Sequence, residues 1–302
     1  MALGTTEAVA APPPTVPVQP GPFVGGTDPN APDPGPKRNS PPTDLKNHPK
    51  RNDKPGQKPP EKAKDGQPIK DVVSIKKRPD GGTDMVIYDP AEGVTPEQLA
   101  AKLRAQGDTN VKVVSHDDAA GPAADVAALA YDPGACSYGT ARTNGCPPSY
   151  WANNGYSDPQ VRFNDHSSAQ WPTDQAVYTW NQAVGIDSYY LWNNCPFQAG
   201  ARCVDVYSGN YGDNGWAGYT YLSFVPGTTY QIAEQGNWVG LNEYPGYTNP
   251  RRTVVCQELG HALELGHNVS SSSCMWGDGR GTANLPNNDD FQMLASVYSI
   301  YR

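Results

Sequence analysis

No apolar run in the 302-residue chain approaches the ~18 residues that a bilayer crossing requires, so a spanning helix is excluded. Aromatic residues are nearly missing from residues 1–60, where Phe23 stands alone among sixteen of the 31 prolines. Such a stretch buries too little apolar surface to offset an ordering entropy of about 1–2 kcal/mol per residue. Residues 1–66 therefore read as a disordered, partly polyproline-like tail. Lysine is absent after Lys112, and residues 117–302 hold only 7 cations against 17 carboxylates. With no basic stripe to neutralise phosphates, nucleic acid is excluded as a partner.

Cysteine is absent from residues 1–135. All six lie later, at Cys136, Cys146, Cys195, Cys203, Cys256 and Cys274. No Cys-x-x-Cys spacing occurs, which argues against a zinc ribbon. An even number with two tight pairs points to disulfides, and so to a secreted, extracellular protein. Six cysteines allow 15 connectivities. Proximity suggests Cys136–Cys146 and Cys195–Cys203, leaving Cys256–Cys274. Ala8-Val9-Ala10 resembles a signal-cleavage site, although residues 1–11 lack a basic start and a long apolar stretch.

Beyond the tail, residues 67–116 read as a small β-β-α-β module. Strands are expected at Asp71–Lys76, Asp84–Tyr88 and Asn110–Val114. Between them a helix is capped by Thr95, with Pro96 in its first turn and Gln98 reaching back. A module of this size is marginal alone. Residues 117–146 read as an irregular linker, and residues 147–302 as the main domain. There a strand at Gln160–Phe163 and a helix at Thr173–Val184 precede strands at Tyr189–Trp192, Cys203–Tyr207, Tyr219–Phe224, Tyr230–Ala233 and Trp238–Asn242. Helices at Thr253–Leu265 and Asp289–Tyr298 follow, which makes the class α+β.

Chemistry concentrates in Cys256-Gln257-Glu258-Leu259-Gly260-His261-Ala262-Leu263-Glu264-Leu265-Gly266-His267. On a helix, positions 257 and 261 share a face. His267 lies about 600° further round, roughly 120° off that face, and joins the same centre only if the helix breaks. Gly266 offers a place for the break. Two imidazoles beside a carboxylate suit zinc, whose bound water falls to a pKa of about 7 and can lose its proton to Glu258.

This segment resembles the zinc signature His-Glu-x-x-His-x-x-Gly-x-x-His of the metzincin metallopeptidases, in its matrixin-like branch. Met275, in Ser273-Cys274-Met275-Trp276-Gly277, matches the family's Met-turn. Asn288-Asp289-Asp290-Phe291 with Leu294 and Tyr298 resembles its C-terminal helix. Trp238-Val239-Gly240-Leu241-Asn242 matches its edge strand, so Trp238 and Gly240 are expected at the substrate. The resemblance covers about residues 147–302. It implies a metzincin-like zincin fold: a twisted mixed sheet with an edge strand, an active-site helix, a Met-turn and a C-terminal helix. It further implies a secreted, monomeric zinc metalloendopeptidase that cleaves a polypeptide substrate with Glu258 as general base.

Two departures stand out. Gln257 occupies the place of the first zinc histidine, giving an expected ligand set of Gln257, His261 and His267 with a poor amide donor; Asp278 and His166 are candidate helpers. Glu264 occupies the place of the helix-breaking glycine, at a cost of roughly 1 kcal/mol if it is left-handed. The alternative function is a catalytically impaired extracellular binding protein on the same scaffold. Residues 67–116 resemble a prodomain without the cysteine that matrixins use for latency, so Asp117 or Asp118 is expected to block the metal instead. His48, His116 and His166 read as surface residues, and a Cys256–Cys274 bond would tie the ligand helix to the Met-turn.

Overall fold

Strand alternation in the N-terminal module fixes how it joins the rest. In the computed structural model, which describes residues 69–115, 136–153, 156, 158–192, 195, 202–228, 230–277 and 281–300, the module comprises β1 (Lys70–Lys77), β2 (Thr83–Pro90), α1 (Pro96–Ala105) and β3 (Val111–Ser115). Successive strand side chains face opposite sides. Val73, Met85 and Ile87 thus enter one core, while Val72 and Tyr88 enter another with Leu99, Leu103 and Trp216. Helix α1 starts at a capping box: the Thr95 side chain accepts from the Gln98 amide, and the Gln98 side chain accepts from the Thr95 amide.

The remaining elements are β4 (Ser137–Tyr138), β5 (Ala141–Arg142), β6 (Gln160–Asp165), α2 (Thr173–Trp180), β7 (Asp187–Trp192), β8 (Arg202–Gly209), β9 (Trp216–Phe224), β10 (Asn237–Asn242), α3 (Arg251–Ala262) and α4 (Asn288–Ile300). Eight strands form one mixed sheet in the order β3-β1-β2-β9-β10-β8-β6-β7. Pairing is parallel among β7, β6, β8 and β10, and antiparallel from β10 through β9, β2 and β1 to β3. The class is α+β, with a large mixed sheet and, among the described residues, four helices.

Three expectations need correction. Trp238–Asn242 is no edge: β10 is hydrogen-bonded to β8 on one side and to β9 on the other. Its parallel pairing with β8 places it inside the sheet, and β9 would be the edge if β2 did not cover it along Thr83–Pro90. Tyr230–Ala233 forms isolated bridges rather than a strand, with Tyr230 at φ 61. Residues 136–146 are not irregular linker: β4 and β5 pair there, inside the Cys136–Cys146 loop. The rest of the expected linker, with Asp117 and Asp118, lies outside the described residues, as do the tail, His48, His116 and Asp278.

Every position from Thr253 to Ala262 of α3 is buried, a pattern that belongs to a helix enclosed on all sides. It packs on α2, β9 and β10, and the Trp180 indole donates to the Cys256 carbonyl at 2.9 Å. The chain then breaks as a Schellman motif, in which Glu264 N–H bonds the His261 carbonyl and Leu265 N–H bonds that of Gly260. The left-handed residue is Glu264 itself, at φ 94, two residues before Gly266.

All six cysteines are paired, Cys136 with Cys146, Cys195 with Cys203, and Cys256 with Cys274. No helix of the described residues is long and apolar enough to cross a membrane. Both features are compatible with an extracellular protein. The Cys256–Cys274 bond spans 18 residues and joins α3 to the turn holding Met275. Replacing both cysteines with serine is expected to lower stability by about 3 kcal/mol. Denaturant unfolding of the oxidised wild type beside the double variant measures this difference.

Candidate metal centre

Helix α3 places Gln257 and His261 one turn apart with Glu258 next to Gln257, and the break at Glu264 returns the chain so that His267 meets His261. The two rings lie 4.9 Å apart at 77°. His261 Nδ1 donates to the Leu265 carbonyl at 2.7 Å and lies 3.2 Å from Asn144 Oδ1. His267 Nδ1 lies 2.5 Å from Asp71 Oδ1, in β1. Both Nδ1 atoms are thereby engaged, and both Nε2 atoms turn to one oxygen, Asp89 Oδ1, at 3.4 and 2.7 Å.

Asp89 sits near the end of β2, opposite Gly218 and beside a register shift at Asp89/Pro90. With Met85 and Ile87 it occupies alternate positions of its strand, so its carboxylate shares the sheet face that carries the main core. Asp89, His261 and His267 are all buried, and their ligand atoms lie within 4.8 Å of one another. This group could hold a metal ion. Hydrogen bonds to the far ring nitrogen orient histidine ligands, and both rings have one. Asp89 Oδ2 and Glu258 Oε1 are buried and meet no donor from any other residue, while the two carboxyls interact with each other. The donor set of two imidazoles and a carboxylate fits.

The electrostatics follow from enclosure. Burial raises the pKa of Asp89, but the charges of His261 and His267 outweigh it and hold the carboxyl well below its usual range. Burial would lower His267, yet Asp71 and Asp89 push it up to about 10. Glu258 is driven the other way: burial, then the neighbouring Asp89 charge, raises it well above its ordinary value despite a 2.7 Å hydrogen bond from the Thr220 hydroxyl. The Glu258 carboxyl lies against Gly218 of β9, where even a Cβ atom would clash with it.

Gln257 stands apart from the donor group: its amide nitrogen donates to the Trp276 carbonyl at 3.3 Å. It does line a void of about 10 Å³ that also touches Asp89, room for about one water. Met275 is buried beneath α3, where a Cβ on Gly260 would collide with its sulfur. Neither Trp238 nor Gly240 reaches this group. The Trp238 ring stacks on Tyr221 at 3.6 Å, and Gly240 lies under Tyr219. His166 is half-buried rather than on the surface, stacked on Tyr207 and 3.1 Å from Asp205. A larger cavity of about 260 Å³ lies by the β1–β2 turn, lined by Ile75, Met85, Phe224 and Tyr230 among others, and includes none of the donors.

Asp71 and Asp89 had one sequence signal. Asp89 follows Met85 and Ile87 at even spacing, which puts a carboxylate on an apolar strand face.

Glu264 anchors the segment that holds His261. Its carboxylate accepts from the Ser149 amide at 2.8 Å and from the Ser149 hydroxyl. Asn144, held by its own amide on the Glu264 carbonyl, donates a side-chain bond to the His261 carbonyl at 2.7 Å. Burial pushes Glu264 up to about 8 against these hydrogen bonds. A raised carboxyl pKa contributes stability that is fully present below the unfolded value of about 4.5 and is lost as pH rises through about 8. Unfolding curves from pH 5 to 9 are expected to show wild type losing stability relative to Glu264→Gln as pH rises.

A comparison with protein-family models finds none that matches this chain, and a search of curated proteins finds no match.

Proposed function

We propose that this protein is a secreted, zinc-dependent metalloendopeptidase on a matrixin-like metzincin scaffold, with residues 67–116 as its pro-segment. The observation that carries the reading is the convergence of His261 Nε2 and His267 Nε2 on one buried carboxylate oxygen, with Glu258 one residue along α3 from Gln257. Met275 beneath the helix and the break before His267 support it. His261, His267 and Asp89 would hold the cation, which when bound polarises a carbonyl and acidifies water.

The chain's own groups would do the rest. Glu258 would take the proton of the attacking water and deliver it to the departing amine. Burial and the neighbouring Asp89 charge raise its pKa, and withdrawal of Asp89 would bring it down toward that of a base. Leu265 and Asp71 keep each imidazole's Nε2 directed at the centre. An extended polypeptide would pair with β9 once β2 is withdrawn, as main-chain addition to an open edge allows. Gln257, one turn before His261, lines the same small void as Asp89 and would face the place that Asp89 leaves.

The second reading is a catalytically impaired binding protein on the same scaffold. It is favoured by a neutral amide at position 257, which is a weaker metal donor than an imidazole and whose nitrogen is turned to the Trp276 carbonyl. Zinc content and peptide cleavage, measured on the protein with and without residues 1–135, separate the two. Stoichiometric zinc and cleavage that falls by about 10²–10⁴ in Glu258→Ala are expected for the enzyme. Zinc and cleavage that appear only in Gln257→His would support the impaired protein and overturn the peptidase reading.

A further inference from the structure

The cavity beside the β1–β2 turn has a floor that follows from strand register. On β1 the alternating positions on the main-core face are Val73, Ile75 and Lys77; on β2 they are Thr83, Met85 and Ile87. Lys77 pairs with Thr83, which pairs with Phe224 of β9, while Ile75 pairs with Met85. These neighbours on one sheet face floor a space of about 260 Å³. Pro147 and Ser149, just after the Cys136–Cys146 bond, form one wall, and Val225 and Tyr230, after β9, form another.

Size and lining narrow the guest. An apolar cavity of about 150 Å³ suffices for benzene, so this space takes one ring with a short arm. The Met85 sulfur and the Phe224 and Tyr230 rings suit an aromatic guest, through edge-on and sulfur contacts. Tyr230 reaches the wall on a left-handed backbone, φ 61, and its carbonyl accepts from the Tyr150 amide at 3.0 Å. Such backbone is costly for a residue with a β-carbon, persists only where the surroundings impose it, and gathers at binding sites.

Charge narrows it further. The chain carries a net charge of −8, yet no carboxylate lines this space, and Lys77 is the one cation that does. Lys77 is exposed, and among the described residues no ion pair engages it. Glu264, behind Ser149, is turned to the Ser149 amide and hydroxyl. An apolar hollow with a single cation at its rim selects an anionic head on an apolar body.

We infer that this cavity binds a small aromatic carboxylate, with its ring among Met85, Phe224 and Tyr230 and its carboxylate at the Lys77 ammonium. The site includes none of the metal donors and stands apart from the metal reading. Lys77 and Met85 come from the N-terminal strands and Phe224 and Tyr230 from the main domain, so the site exists only while the two parts are joined.

Titration of 3-phenylpropionate into the full chain tests the inference, with backbone-amide NMR shifts as the readout and a chelator present to keep the acid off any metal. One saturable site with a dissociation constant of about 0.1–1 mM is expected for a ligand of this size. The shifts are expected to centre on Ile75, Thr83, Phe224 and Tyr230. The neutral amide, 3-phenylpropionamide, is expected to bind about five-fold more weakly, the scale of an exposed ion pair. Lys77→Met, at an exposed position, is expected to weaken the acid alone and so to remove that difference. No saturation at ten times the expected constant, equal affinity of acid and amide for wild type, a preference that survives Lys77→Met, or shifts centred on Asp89 and His261 would each overturn the site. Tighter binding of acetyl-phenylalanine would assign the cavity to a peptide C-terminus and overturn the small-acid reading.

Discussion

A single carboxylate placed between two imidazoles organises this molecule. Asp89 is enclosed on every side, and an ionised carboxylate in such a place is costly unless it is paired and hydrogen-bonded. His261 and His267 supply the pairing, and His267 is itself held between Asp89 and Asp71. The result is a buried chain of alternating charge, carboxylate–imidazole–carboxylate, that crosses from the first two strands to the segment after α3. Removing any one member leaves its neighbours as uncompensated buried charges. Attachment of the N-terminal strands is therefore more than sheet pairing, because the hydrogen-bond ladder of β2 on β9 and the ionic chain beneath it form or fail together.

That arrangement also sets the state of Glu258. Its carboxyl is buried against Gly218 and faces the charge of Asp89, and both push its pKa well above the ordinary glutamate value. Two adjacent carboxyls in a dry site cannot both ionise cheaply. The histidines favour charge on Asp89, and Glu258 takes the neutral role. A positive ion among these groups, or withdrawal of Asp89, reverses the preference. The contact between the two carboxyls is where that reversal would act.

The sequence revealed what was local. Helix α1 is legible because its capping box, proline and apolar side are encoded within ten residues, and α3 with Glu258 and His261 is legible because helical spacing alone brings them together. Cysteine proximity likewise anticipated all three disulfides. What escaped was set by distance along the chain. Asp89 reads as the polar end of a short strand, and nothing nearby indicates that a histidine 172 residues on will meet it. Trp238–Asn242 reads as an edge strand only through the family resemblance, and its neighbours on both sides come from elsewhere in the chain. Glu264 is legible in part: the sequence marks a left-handed backbone there as a tolerable cost, and the fold adds a side chain that anchors Ser149, with Asn144 supporting His261 beside it.

Under the proposed function, a strand donor, Asp89, stands in for a helix donor at position 257. A histidine at position 257 would travel with α3, rigid and already on the face of His261, and the centre would be complete in the C-terminal part of the chain alone. Asp89 lies on a strand that can in principle leave. Its contribution depends on eight positions of pairing with β9, on Met85 and Ile87 filling the core beside it, and on Asp71 one strand further out. Gln257 offers only a neutral amide oxygen, its nitrogen being held on the Trp276 carbonyl. Under the proposed function, then, the strongest metal donor and the strongest barrier to a peptide are the same residue. Selection for tight metal retention would strengthen β2–β9 pairing, and selection for turnover would weaken it.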